Sequence, residues 1–288
     1  MTGTIADGIR ANLGALSPAE RKVARTLLAG YPSAVFETVA VIAERASVST
    51  PTVLRFAARM GYQGFPDLQA AVRSELDVRN ASPIALYEAA GLGGDHDPTS
   101  TAGLLEHSNA TFAPALAQTL AEVPPHDFQR AVALLADRKR HITLAGGRFT
   151  HLLAQYLGLH LMQLREDVRF LPDRPVERTA ALARLTRRDV VVLFDYRRYE
   201  DDKTAIAQLT REAAGKTIVF TDPWLSPATA HADVVLPSQV GTTAPYDSLV
   251  PTLAVIEVLI AGVINTLGPQ AHEQLRHNEE VARRTGMV

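Results

Sequence analysis

Between residues 126 and 267 the chain alternates five short apolar runs with segments of helical period, and this alternation constrains the fold most. The runs are "HITLA" (141–145), "VRFLP" (168–172), "DVVVLF" (189–194), "KTIVFT" (216–221) and "DVVLP" (233–237). A strand apolar at nearly every position has both faces buried, and strands separated by helices run parallel through crossover connections. The predicted architecture is an α/β domain with a five-stranded, doubly wound parallel sheet, covered by helices on both faces. Helices are expected at 102–121, 128–138, 149–164, 176–186, 203–214, 248–267 and 269–285, with a short one at 226–231.

The first 77 residues have a different texture, almost without strand-like pattern. In "SPAERKVARTLLAG", Ser17 is placed to cap a helix, Pro18 to occupy its first position and Glu20 to complete a capping box. Further short helices are expected at 39–46, 50–60 and 66–77. The window 39–58, "VAVIAERASVSTPTVLRFAA", has the spacing of a helix-turn-helix. Ile42, Ala43, Ala46, Val53 and Phe56 are predicted to face inward, Val48 to plug the turn, and Ser47 to stand where positive φ usually calls for glycine. Ser49 or Thr50 is expected to cap the second helix, with Pro51 in its first turn. Thr50, Thr52, Arg55 and Arg59 are expected to face outward, the arginines four apart on one face, and with Ser49 they are the candidate DNA contacts. Eight Lys/Arg and seven Asp/Glu make this segment almost neutral, so the case for nucleic acid rests on placement. The alternative is a plain helical hairpin with solvated arginines.

The length of 288 residues suits two domains, and the net charge of −2 carries no global basic signal. The chain has no cysteine, which excludes disulfides, Cys-zinc sites and thiol catalysis and fits a cytoplasmic location. The first residues lack the basic start and apolar core of a signal peptide. The most apolar segment, 249–264, contains Pro251 and Glu257 and is read as a buried helix, so no membrane association is expected. A helix-turn-helix domain is assigned to 1–77, a linker to 78–101 with its Gly- and Asp-rich core at 91–101, and the α/β domain to 102–288.

"LSPAERKVARTLL", "TVAVIAERASVSTPTVLRFAARMGYQGFPDLQ" and the α/β region after them resemble the RpiR/MurR-type transcriptional regulators. The likeness covers nearly the whole chain and is tighter in the first domain. It implies an N-terminal helix-turn-helix domain and a C-terminal sugar-isomerase (SIS) domain. It implies that Thr50, Thr52, Arg55 and Arg59 face DNA and that "GYQGF" (61–65) lies near the backbone, although Tyr62 and Phe65 read as packing residues. The run Arg197-Arg198-Tyr199 is similar to one typical of a branch of these regulators.

Ligands of open parallel sheets bind beyond the carboxyl ends of the strands, and three such ends are candidates. At the first, Gly146 and Gly147 allow a tight turn, Arg148 follows, and Thr150 is placed to cap the next helix and favour an anion. A simple strand-to-helix turn would look the same. At the second, SIS domains that hold sugar phosphates carry a loop rich in Ser and Thr. This chain has Asp195, Tyr196, Arg197, Arg198, Tyr199 and Glu200 instead. Guanidinium groups can hold a phosphate or carboxylate in their place, with Asp195 pairing an arginine or accepting from ligand hydroxyls. Alternatively Arg197 and Arg198 pair with Asp201 and Asp202, or cross a subunit interface. At the third, Thr221, Asp222 and Ser226 match the order of SIS residues but also suit turn and cap chemistry, and Trp224 can stack on a sugar or cover the core. Ser248 is read as a cap first and a ligand contact second.

No catalytic constellation, metal site or cofactor is expected. The nine histidines include no metal-binding pair, Asp95-His96-Asp97 falls in the linker, and His151 and Glu200 are only loose acid–base candidates. The expected function is a DNA-binding regulator, homodimeric or homotetrameric, whose SIS domain senses a small anionic metabolite such as a sugar phosphate or sugar acid. A sugar-phosphate isomerase with an accessory N-terminal domain is the alternative, and a partner-binding module with an empty cleft a third reading.

Overall fold

A computed structural model of the chain describes residues 4–80, 82–89, 101–242 and 246–287. The chain divides into two compact units, Met1–Ala81 and Ser82–Val288.

The first unit is helical throughout its described residues: α1 (Ile5–Asn12), α2 (Pro18–Ala29), α3 (Val39–Arg45), α4 (Thr50–Arg59) and α5 (Phe65–Asn80), with a 3-10 turn at Ser33–Phe36. The capping box of α2 forms: the Ser17 amide donates to Glu20 Oε2 at 2.8 Å and the Glu20 amide to Ser17 Oγ at 3.3 Å. An equivalent box between Thr4 and Asp7 opens α1, a helix the apolar pattern does not announce. α2, α3 and α4 pack together around Val23, Leu27, Ile42, Val53, Phe56 and Phe65. Ser47 takes φ 51° in the turn between α3 and α4, so a serine does hold the position that glycine usually fills. Val48 and Tyr62 pack against this core.

The predicted linker is partly helical: α5 runs on to Asn80 and α6 spans Pro83–Ala89. Residues 90–100, with Asp95, His96 and Asp97, lie outside the described residues.

The second unit begins with α7 (Thr101–Glu122) and α8 (Pro125–Ala136), then alternates β1 (His141–Gly146), α9 (His151–Leu164), β2 (Val168–Phe170), α10 (Pro175–Leu182), β3 (Asp189–Phe194), α11 (Asp201–Glu212), β4 (Lys216–Thr221), a 3-10 turn at Pro227–His231 and β5 (Val234–Pro237). It ends with α12 (Val250–Leu267) and α13 (Pro269–Thr285). The five strands are parallel, in the order β2-β1-β3-β4-β5. All six residues of β3 are buried. Val190, Val192 and Phe194 face a core shared with α8, α9 and α12, whereas Val191 and Leu193 face a smaller one with α11. This is the two-sided cover that continuous apolar strands demand. α12 is long and apolar enough to cross a membrane by length and composition. Its Val255, Ile256, Leu259 and Val263 are spent on the larger core.

The chain leaves β1 in one direction across the sheet and, after β2, returns to add β3 on the other side. The loops after β1 and β3 therefore diverge and leave a crevice between them, the usual ligand position in such sheets.

Candidate functional site

In the first unit α4 presents one face outward. Ser49, Thr50, Pro51, Leu54, Arg55, Ala58 and Arg59 are exposed, whereas Val53, Phe56 and Ala57 are fully buried. Thr52 is a correction: it is buried rather than outward. Its four-residue spacing from Phe56 turns both toward the core, and its hydroxyl meets Ser49 Oγ at 3.0 Å and Arg55 Nη2 at 3.2 Å. Ser49 stands at the N-cap position but makes no hydrogen bond to the helix amides, and Thr50 is already helical. Arg59 Nε lies 3.9 Å from Glu20 Oε1. The amide of Ser17, then its hydroxyl, hold the Glu20 carboxyl below its ordinary range against the opposing effect of burial, and Arg59 and Arg55 add to this. Thr52 and Glu20 thus brace the two exposed arginines from beneath.

In the second unit a cavity of about 150 Å³ opens between the loops that follow β1 and β3. Gly147, Arg148, Thr150, Asp195, Arg197 and Arg198, all singled out from the sequence, line it. Glu200, Tyr246, Asp247 and Phe149 line it as well and were not among the predicted ligand contacts. Arg148 and Arg198 are exposed. The Phe149 and Tyr246 rings lie 5.9 Å apart and are both more than half exposed.

Many of the polar residues chosen from the sequence serve the loops themselves. Thr150 does not cap α9: its hydroxyl accepts from the Gly147 amide at 2.7 Å and donates to the Phe194 carbonyl at 2.9 Å, tying the two loops together. A Cβ on Gly146 would lie 2.4 Å from the His151 amide nitrogen, so glycine is required there by backbone contact. A Cβ on Gly147 would lie 2.9 Å from Glu200 Oε1. Asp195 is buried, accepts from Ser226 Oγ and from the Glu200 amide (3.2 Å), and pairs with neither arginine. Burial pushes its carboxyl up despite these hydrogen bonds.

Arg197 is buried and Arg198 exposed. Arg197 pairs with neither Asp201 nor Asp202 but with Asp247, its Nε 2.8 Å from Oδ2 and its Nη2 in contact with Oδ1. Asp202 pairs with Arg178 and Lys203 instead. The Arg197 guanidinium also stands 6.0 Å from the centroid of Trp224, which packs on the core. Arg198 has φ 63°, a left-handed conformation costly for a side-chain-bearing residue. The loop is pinned on either side of it by Asp222, which accepts from the Arg197 amide and the Tyr199 hydroxyl (2.7 Å), and by Asp195 on the Glu200 amide.

Gly146, Thr221, Asp222, Ser226 and Ser248 do not line the cavity. Thr221 Oγ1 accepts from the Ser226 amide at 2.9 Å, Ser226 Oγ accepts from the Ala228 amide at 3.1 Å, and Ser248 Oγ accepts from the Val250 amide at 3.3 Å. Asp222 is fully buried, and burial pushes its carboxyl up to about 6 against three hydrogen bonds that favour the charge. His151 is exposed, its Nδ1 2.9 Å from the Arg148 carbonyl oxygen. The Glu200 carboxylate is held by Lys203 Nζ at 2.6 Å. Among the described residues no group of three or more His, Cys, Asp or Glu is placed to hold a metal ion.

A helix-turn-helix unit followed by a parallel α/β unit with a crevice at its switch point defines a two-domain protein of the helix-turn-helix plus SIS class. Residues 3–78 match the helix-turn-helix domain of the rpiR family and residues 134–262 match the SIS domain. The chain is 28% identical over 279 residues to the HTH-type transcriptional regulator HexR of Escherichia coli, spanning 96% of this chain and 93% of that one. HexR of Pseudomonas aeruginosa is 27% identical, over 94% of this chain and 93% of its own length. The sugar isomerase domain of an RpiR transcription factor from Sphaerobacter thermophilus superimposes with a TM-score of 0.56 at 25% identity, covering 62% of this chain and 97% of that domain. The Vibrio vulnificus NanR protein, solved in complex with ManNAc-6P, shares the fold at TM-score 0.51 and 16% identity, over 98% of this chain and 99% of its own. The chain belongs to the rpiR family of HTH-type transcriptional regulators.

Proposed function

We propose that this regulator binds operator DNA through the exposed face of α4 and senses a small anionic metabolite, a sugar phosphate or sugar acid, in the cavity between the β1 and β3 loops. The observation that carries the ligand reading is the convergence of Arg148, Arg197 and Arg198 on one cavity at the switch point of the sheet. Guanidinium groups bind phosphate and carboxylate in two-pronged contacts. Arg197 is already engaged by Asp247, so the exposed Arg148 and Arg198 make the first contact with the anion, while Phe149 and Tyr246 offer faces to a sugar ring. The NanR complex gives one fold relative with a sugar phosphate bound.

The protein acts in the cytoplasm as a homodimer or homotetramer. Two α4 helices then enter successive major grooves about 34 Å apart. The metabolite favours one arrangement of the two DNA-binding units over another. The chain acts as a sensor rather than an enzyme: Asp195, Glu200 and Asp247, the carboxylates that line the cavity, are all engaged by protein donors.

The test is a thermal-shift screen of sugar phosphates and sugar acids. A compound that raises the wild-type midpoint is expected to lose that effect with Arg198→Ala or Arg148→Ala, and to change the salt-dependent affinity for operator DNA. A midpoint shift unchanged in both variants would remove the cavity from the effector site. Turnover of such a compound in a coupled assay would replace the sensor reading with an isomerase.

A further inference from the structure

Leu54 is the one large apolar residue of α4 that its packing leaves out. It is 45% exposed, whereas Val53, Phe56 and Ala57 on the same helix are 0% exposed. It sits mid-helix, with the exposed Thr50 and Ala58 one turn to either side. The neighbouring exposed row is Pro51, Arg55 and Arg59. The outward face therefore carries two parallel rows: one holds the guanidinium groups of Arg55 and Arg59, and the other is Thr50, Leu54 and Ala58, with Leu54 its longest and most apolar member. A polar straight-chain residue would serve the helix equally well and keep water contact at this position. A single exposed leucine is ordinary on a protein surface, but one centred between helix positions facing a duplex is not neutral toward it. In the major groove only the thymine C5 methyl offers an apolar contact, and aliphatic side chains read it there.

We propose that Leu54 is a specificity-determining residue that packs on a thymine C5 methyl in the major groove while Arg55 and Arg59 engage phosphates or guanine edges beside it. The inference rests on the reading of α4 as the DNA-binding helix and adds a base identity to it. Because thymine and uracil differ only by that methyl, the contact is separable from hydrogen bonding.

The experiment starts with duplexes enriched by the full-length protein from a random-sequence pool. Each thymine of an enriched half-site is then replaced by deoxyuridine, symmetrically in both halves. For one thymine per half-site the wild type is expected to lose about fourfold in affinity per half-site, the worth of one buried methyl. Leu54→Ala, which keeps the helix because alanine is its best former, is expected to bind the thymine duplex about as weakly as wild type binds the uracil one. It should show no further loss at that position. Equal, additive losses in wild type and Leu54→Ala at every position would overturn the proposal while leaving α4 on the DNA. So would a Leu54→Ala chain whose only change is weaker self-association, which would assign the residue to a protein interface. Failure to enrich any duplex would overturn the underlying DNA reading and this inference with it.

Discussion

The outward face of α4 and the cavity of the SIS unit are both arginine-bearing, yet Arg197 in the cavity is handled in the opposite way to Arg55 and Arg59 on α4. On α4 the arginines are exposed, and the groups that touch them, Thr52 and Glu20, brace them from the protein side. In the cavity Arg197 is drawn into the fold by Asp247, and the acids around it are occupied by amides and hydroxyls. A charge that stays at the surface is available to a partner at little structural cost. A charge paired below the surface is a component of the loop that carries it, and its removal is first a stability event.

That contrast is tested most strongly at Arg197. Its side chain is 6% exposed and that of Asp247 is 13% exposed, so Arg197→Ala leaves a nearly buried carboxylate without its partner. The expected loss is about 3–5 kcal/mol of unfolding free energy, read by denaturant melts through the fluorescence of Trp224, the single tryptophan. Arg198→Ala, one residue away and exposed, should stay within about 0.5 kcal/mol of wild type. Equal costs for the two would break the distinction.

Asp222 gives the next largest effect. Its folded-state carboxyl, at about 6, lies above the ordinary unfolded value of about 3.9. Between these values the native chain holds a proton that the unfolded chain has lost. Stability of this unit should therefore fall as pH rises from about 4 to about 6, by about 2–3 kcal/mol, and stay lower above that. Asp195 pushes in the same direction. Asp222→Asn is expected to flatten the difference between melts at pH 4 and pH 7, although it lowers stability at both by losing an acceptor for the Arg197 amide.

On α4, Arg55→Ala should weaken operator binding by about 1–3 kcal/mol and lower the slope of log affinity against log salt by about 1, with melting unchanged. This is the mirror image of Arg197→Ala, and anisotropy titrations at several salt concentrations check it. The smallest effect belongs to the turn before α4. Ser47 at φ 51° carries a side chain where glycine is at ease, so Ser47→Gly should stabilise the first unit by about 1 kcal/mol in thermal melts.

The elements of both units are legible because their signals are local. Apolar runs of five or six residues announced the strands, and Ser17-Pro18 with Glu20 the start of α2. α1 lacks such a run, and only the Thr4–Asp7 spacing could have announced it. The cavity was legible to the level of the loops, since strand ends locate it. It was not legible to the level of side-chain roles, because those depend on pairings across distant sequence. Arg197 and Asp247 are fifty positions apart, and Asp195 meets Ser226 thirty-one positions away. Nothing in "FDYRRYE" alone separates a guanidinium that is free from one already claimed. Thr52 was legible in principle: its four-residue step to Phe56 places it on the inner side.

α12 bears on how the protein is made. The larger face of the sheet is completed by residues 255–267, which follow all five strands, whereas the face under α11 is complete once β4 and the 3-10 turn after it have formed. A nascent chain on the ribosome therefore carries a partly covered sheet from the emergence of β3 until α12 has been added. The segment that finally shields it is itself a continuous greasy stretch until it docks. Holding factors that bind such stretches are expected to matter most between the synthesis of β5 and the docking of α12. Truncations before residue 267 should accumulate as insoluble material rather than as a shorter folded chain.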